Sequence, residues 1–225
     1  MTSPAEPYGP SLQDQLDEIT ANTRALVPPD RLARTEQLVE DLRATGIEDG
    51  ILPPGSTAAE FQLQSATSKL IRSSDLLALG PLVLKFFRGR WDPYDMTELE
   101  AWEALLPKVR RRRALLVAIS PQTSRQNAFT ADRHHLSFPL VSDPSCTYAE
   151  TLGLAYAVPE LTRAHFRSML VNIPFLNGDE TWRLPLPATY VLSAAGTVLY
   201  REAYADHRLR PEPAKAIAVL EDLAL

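Results

Sequence analysis

The chain has 225 residues, 45% of them hydrophobic, with a formal net charge of −5 and a pI near 5.4. That length supports one sizeable core, and the acidic balance lacks the basic face that nucleic-acid binding requires. No apolar stretch has the length of a membrane span, no signal-peptide pattern is present, and the single cysteine, Cys146, excludes an intrachain disulfide; a cytoplasmic protein is the expectation.

Residues 1–10, with Pro4, Pro7, Gly9 and Pro10, read as a flexible leader. Residues 11–49 read as a helical extension. Ser11 is a suitable N-cap for a helix carrying Leu12, Leu16, Ile19 and Thr23, broken at Val27-Pro28-Pro29. Asp30 is expected to cap a second helix with Leu32, Leu38, Val39 and Leu42, which Gly46 closes. Residues 50–225 read as the main domain. After the turn Leu52-Pro53-Pro54-Gly55, Phe61–Gln64 alternates as a strand, Lys69–Ile71 is its partner, and Ser74–Leu77 forms a short helical turn.

The run Leu82–Phe87 is a buried strand, and Met96–Leu106 is a helix with Met96, Leu99, Trp102, Leu105 and Leu106 at helical spacing. Between them lies Arg88-Gly89-Arg90-Trp91-Asp92-Pro93-Tyr94-Asp95. Asp92 and Asp95 therefore fall in the first turn of a helix leaving the carboxyl end of a strand, where open α/β sheets bind ligands. Ala114–Ser120 is a second buried strand. The strand–helix–strand unit favours a parallel, right-handed crossover, which sets Ser120-Pro121-Gln122-Thr123 beside Asp92. The basic run Lys108–Arg113 complements the helix C-terminus.

Ser124–His134 reads as a helix, Phe138–Val141 as a third strand, and Cys146–Leu152 as a helix opened by Ser142-Asp143-Pro144 and stopped by Gly153. Pro159–Leu170 is amphipathic, and Asn177-Gly178 marks a turn. Leu184–Leu192 is a strand turned at Ala195-Gly196 into Thr197–Tyr200, and Pro213–Leu225 closes the chain as a helix.

Arg88-Gly89-Arg90-Trp91-Asp92-Pro93-Tyr94-Asp95 resembles the Arg-Gly-x-Trp-Cys-Pro-Tyr-Cys signature of a peroxiredoxin-like branch of the alkyl hydroperoxide reductase / thiol-specific antioxidant family, with aspartate at both cysteine positions. The segments Ala118-Ile119-Ser120-Pro121-Gln122-Thr123, Phe138-Pro139-Leu140-Val141-Ser142-Asp143-Pro144, Asn177-Gly178-Asp179-Glu180-Thr181-Trp182 and Leu186-Pro187-Ala188-Thr189-Tyr190-Val191 also resemble it, in the same order. The resemblance covers roughly residues 50 to 225 and implies an α/β, thioredoxin-like fold: a central sheet flanked by helices. It also implies a homodimer, and a cis peptide before Pro187, facing the site.

A peroxiredoxin thiolate at a helix N-terminus attacks peroxide, and a second thiol resolves the sulfenic acid. A carboxylate cannot follow that path. Several readings of the aspartates compete. One makes them helix caps alone, in a catalytically inactive structural or regulatory protein. A second makes them an acid–base pair of a biosynthetic lyase, isomerase or cyclase acting on a small organic molecule, Asp92 and Asp95 sharing a proton while Arg88 and Arg90 hold an anionic group, without a cofactor. A third, metal ligation, is set aside because no histidine lies near in sequence and the helix end and arginines repel cations. The last is a binding or regulatory role in which neither aspartate acts chemically. Trp91 and Tyr94 are expected to wall the pocket, with Ser120, Pro187 and His207 at its edge. His134 and His135 read as structural, His165 as solvated or lining a pocket edge, and Cys146 as an inert thiol or a relocated peroxidase nucleophile.

Overall fold

The computed structural model describes residues 11–223, so the leader and the last two residues lie outside the described residues. The strands are β1 (Gln62–Ser65), β2 (Leu70–Arg72), β3 (Leu82–Phe86), β4 (Leu115–Ser120), β5 (Leu140–Ser142), β6 (Ala155–Ala157), β7 (Arg183–Pro185), β8 (Ala188–Leu192) and β9 (Val198–Ala203). The α-helices are α1 (Leu12–Leu26), α2 (Pro29–Ala44), α3 (Ser73–Leu77), α4 (Pro93–Arg111), α5 (Ser124–Arg133), α6 (Thr147–Thr151), α7 (Glu160–Ser168), α8 (Ile173–Asn177) and α9 (Pro213–Glu221).

Seven strands form one sheet in the order β2-β1-β5-β4-β3-β8-β9, and β6 pairs with β7 apart from it. β3 runs parallel to β4, with Leu82 opposite Leu115, and antiparallel to β8, with Phe86 opposite Ala188. β4 and β5 continue the parallel set. The crossover is thus the parallel one expected from sequence, and β3 lies inside the sheet with both faces covered.

Side-chain alternation along β3 divides the core. Leu82, Leu84 and Phe86 join Val117, Ile119 and Tyr190 on one face. Val83 and Phe87 lie on the other, beneath Leu99, Trp102 and Val109 of α4 and Ile217 and Leu220 of α9. Lys85 shares this second face and is fully buried.

α4 is longer than its apolar spacing suggests. Pro93 sits at N1, where no N–H is needed. At the other end the helix continues through Pro107, and fully buried Val109 packs on the sheet. Lys108, Arg110 and Arg111 fall in its last turn, where the helix dipole favours cations.

Several local expectations need correction. α2 begins at Pro29 with Pro28 at the cap, and Asp30 contributes only its charge to the first turn. The stretch expected as a helix from Cys146 opens with a 3-10 turn, Pro144–Cys146, whose Ser145 and Cys146 are left-handed at φ 55° and 56°. Asp143 accepts the amides of Tyr148 and Ala149 across that turn. The expected strand Leu184–Leu192 is two strands: the Leu186 amide donates to Leu154 O, and Pro187 has no N–H to continue the ladder. Asn177-Gly178 ends α8, with Gly178 at φ 73°. No peptide bond among the described residues is cis, so the one before Pro187 is trans.

The N-terminal helices fold back over the carboxyl end of β3. α1 opens with a capping box between Ser11 and Asp14 and seats Leu12 and Leu16 against Tyr94. α2 sends Leu38 and Leu42 into the main core. Arg208 clasps the arm through two bonds to Glu36, at 2.5 and 2.9 Å. No helix of the described residues is long and apolar enough to cross a membrane.

Candidate functional site

β3 ends in a turn whose backbone is set by Gly89, at φ 154°; a Cβ there would meet Trp91 Nε1 at 2.7 Å. The turn delivers Asp92 to the N-cap of α4, where its carboxylate accepts the Tyr94 amide at 3.0 Å. Asp95, in the first helical turn, reaches back to accept the amides of Arg88 at 2.8 Å and Gly89 at 3.2 Å. The capping expected of this pair is therefore present, and it is divided: Asp92 satisfies the helix and Asp95 the turn.

Both carboxylates also belong to a buried ionic cluster. Arg88 donates twice to Asp92, at 2.9 and 2.5 Å. Arg210 donates to Asp95 at 2.6 Å, to Glu98 at 3.1 Å and to Asp92 at 3.2 Å. Lys85 Nζ lies 2.7 Å from Glu98, both side chains fully buried. Lys85, Arg88 and Arg210 thus face Asp92, Asp95 and Glu98, and the formal charges cancel. Cancellation matters because a buried unpaired charge is costly, whereas a paired one is tolerated.

The cluster sets the two aspartates apart. Burial raises the Asp92 pKa, but the guanidiniums of Arg88 and Arg210 outweigh it and hold the group well below the usual carboxylate range. Burial and the adjacent Asp92 charge push Asp95 up to about 6, against the pull of Arg210 and Arg88. The Arg88 charge also pulls down the Tyr156 pKa against the effect of burial, and its guanidinium lies over the Trp91 ring, 4.8 Å from the centroid.

Asp92 and Arg88 form part of the floor of a cavity of about 370 Å³. Trp91, Phe166, Met169 and Leu32 supply apolar wall, and α1, α2 and α7 roof it. The Tyr94 hydroxyl bonds Thr20 of α1 at 2.9 Å, joining roof to floor. His207 stacks edge-on to Tyr94, with centroids 5.7 Å apart. Burial, then the Arg88 charge, keeps its pKa well below that of an ordinary imidazole. His165, on the α7 wall, is lowered by burial and by Arg34 and Arg31.

Of the residues singled out in the sequence, Arg88, Trp91, Asp92, Tyr94 and His207 meet at this cavity. Asp95 lies behind Asp92, fully buried and not among the lining residues. Arg90 is corrected: it turns away, its amide donating to Gln122 Oε1, its Nε to Gln126, and its guanidinium lying over Phe129. Ser120 is also corrected, being buried and bonded to Asn127 at 2.8 Å. Pro187 is not among the lining residues either, placed where the chain passes from β7 to β8. Cys146 is fully buried in the core on the other side of the sheet from α4, and burial, then Asp143, raises its thiol pKa well above the ordinary value. Among the described residues no group of His, Cys, Asp or Glu side chains has the makings of a metal site.

Sequence reasoning missed Lys85, Glu98 and Arg210, whereas the pocket-edge reading of His165 agrees with its place in the lining. Two signals were present: a lysine inside an apolar strand, and Asp92, Asp95 and Glu98 spaced three apart on one helical face. Arg210 had none, because nothing local ties residue 210 to residue 95.

A parallel central strand delivering a helix N-terminus to a ligand-sized hollow, with an antiparallel hairpin on its far side, defines a thioredoxin-like α/β protein. The chain belongs to the AhpC/TSA family, which it matches over residues 54–201. Among curated proteins, "Putative peroxiredoxin Rv1608c" of Mycobacterium tuberculosis H37Rv is 33% identical over 100 residues, 44% of this chain and 65% of that one. Its counterpart in strain CDC 1551 matches equally, so the match spans 65% of these relatives' length. In structure, peroxidoxin BcpB of Mycobacterium tuberculosis superposes with a TM-score of 0.61 at 24% identity, over 77% of this chain and 99% of that one. A cysteine-to-serine mutant of peroxiredoxin 6 from Arenicola marina gives 0.59 at 14% identity, over 76% and 72%. These structural likenesses bear on the fold alone.

Proposed function

We propose that this family member binds a small organic molecule at the helix N-terminus and does not reduce peroxides through a thiol. One observation carries the reading: where the resembling motif has thiols, two aspartates sit in a charge-balanced cluster whose Asp92 and Arg88 line the floor of a ligand-sized cavity. Pockets of about 300–1,000 Å³ are the usual size for small-molecule sites. Peroxide reduction needs a thiolate that is accessible and of lowered pKa. Cys146 is neither, and it is not among the residues lining the cavity.

The geometry supports the aspartates as the fixed floor of the site rather than as a proton-sharing pair. Asp92 is too strongly ion-paired to be a good base, and Asp95 lies behind it. His207 is better placed for proton transfer: its neutral imidazole lines the cavity, and the Asp92 charge favours the imidazolium formed when it takes a proton. Arg88 keeps its part as the cation that holds Asp92 in place.

The test is hydrogen peroxide consumption with dithiothreitol as reductant, on wild type and Cys146→Ser. Both are expected to match the protein-free rate. Turnover by wild type that Cys146→Ser abolishes would overturn the proposal, whereas equal turnover by both would come from no thiol of this chain, Cys146 being its single cysteine.

A further inference from the structure

We infer that the molecule taken by this cavity is uncharged and largely apolar, with a hydrogen-bonding group addressed by His165 and His207; this rests on the pocket reading above. The inference reverses what two arginines beside a pocket suggest from sequence, namely an anionic substrate.

Two of the three arginines lining the cavity, Arg88 and Arg208, are already engaged. Arg88 spends Nε and Nη2 on Asp92, lies near the Tyr156 hydroxyl, whose pKa its charge pulls down, and has its face against Trp91. An anion that took Nε or Nη2 of Arg88 would displace Asp92, leaving a buried carboxylate short of its partner. Arg208 divides its donors between Asp206 and Glu36. Arg24 is exposed, and its field falls on Glu36, whose pKa it helps lower. The carboxylates are matched in the same way: Asp92 by Arg88 and Arg210, Glu36 by Arg208. A cationic ligand would find no free anion there.

What remains for a ligand is neutral. The ring nitrogens of His165 and His207 bond no protein group among the described residues, and both imidazoles are lowered toward the uncharged form. Trp91 and Phe166 meet edge to face, 5.1 Å between centroids, as a continuous aromatic wall. An apolar body against that wall gains the usual transfer free energy, whereas a charged group would lose its hydration without gaining a partner.

The test uses two dyes that share one ring system. N-phenyl-1-naphthylamine is uncharged, and 8-anilino-1-naphthalenesulfonate is the same skeleton with a sulfonate. Both brighten on leaving water, so each is titrated into the full chain at pH 7.5. The neutral dye is expected to bind one per chain, about tenfold or more tighter than the sulfonate. Thr162→Phe, which narrows the cavity from the α7 wall, is expected to weaken the neutral dye about tenfold; Thr23→Phe, from the α1 wall, serves if the first variant does not fold. Sulfonate binding as tight as or tighter than the neutral dye overturns the inference and leaves the pocket reading standing. Neutral-dye binding unmoved by the filling variant places the dye elsewhere and overturns it too. If neither dye binds, the inference and the pocket reading fall together.

Discussion

Replacing Arg210 by methionine is the most direct perturbation of the cluster. Arg210 lies 2.6 Å from Asp95, 3.1 Å from Glu98 and 3.2 Å from Asp92. Its removal leaves three buried carboxylates facing Lys85 and Arg88. Breaking a buried pair costs about 3–5 kcal/mol; because this cation serves three anions at once, the upper end, about 4–5 kcal/mol, is expected. Against a typical domain stability of about 5–15 kcal/mol, that is a large fraction. Urea denaturation followed by circular dichroism measures it. Two further readings separate charge balance from lost packing. Arg210→Met with Glu98→Gln restores equal numbers of opposite charges and is expected to be more stable than Arg210→Met alone by over about 1 kcal/mol. The deficit should also shrink on acidification. Asp95, at about 6 in the native protein, loses a cation that lowers it and rises further above its ordinary 3.8. A carboxyl whose native pKa exceeds its unfolded value binds more protons when folded, so stability grows as pH falls from about 8 to about 5.5. A loss below about 1 kcal/mol, or a deficit that is flat or deepens with acid, would refute the account of this cluster.

Gly89→Ala is expected to destabilise the protein by about 1–3 kcal/mol and to shift tryptophan emission, because the new methyl would meet Trp91 Nε1 at 2.7 Å; unchanged emission would remove the turn from the description of the site. His207 is expected to keep a neutral imidazole by NMR down through pH about 6.5, its ordinary value. Since its native pKa lies below its unfolded one, the unfolded chain takes up more protons as pH falls through that range, so this group favours folding above it and the advantage is lost below; His207→Gln removes that component, and a pH–stability profile unaltered by it would contradict the assignment.

Most of the fold was legible in the sequence because it is written locally. The apolar run at Leu82 and the helical spacing from Met96 place β3 and α4, and the short crossover fixes their parallel pairing. What sequence misjudged came from bonds between distant segments. The pairing of Ala155–Ala157 with Arg183–Pro185 breaks what reads as one long strand. Asp143 reaching forward to two amides delays α6 past Cys146. At the site, Arg88, Asp92 and Trp91 were found because they share one turn. Arg90 belongs to the same turn and was misjudged, because local sequence does not say which way a side chain leaves an irregular backbone. His165 reads in sequence as either solvated or at a pocket edge, and the docking of α2 against α7 places it in the cavity wall.

The aspartates also account for the character of the pocket. One carboxylate at a helix N-terminus is an ordinary cap; two buried there are costly unless cations accompany them. Arg88 and Arg210 come from the strand end and from the segment before α9, and Lys85 rises from the sheet to balance Glu98, the third carboxylate on the same helical face. Once these are spent on one another, the floor is rigid and carries no net charge. The walls add threonines from α1, α2 and α7, the Phe166 ring and the His165 imidazole from α7, and from α1 the solvent-exposed Arg24. A thiol site must keep its cation available to lower a thiol pKa and steady a leaving oxygen. Here that cation is committed to a carboxylate, so the corner offers a ligand neither a thiol nor the two Arg88 donors held by Asp92.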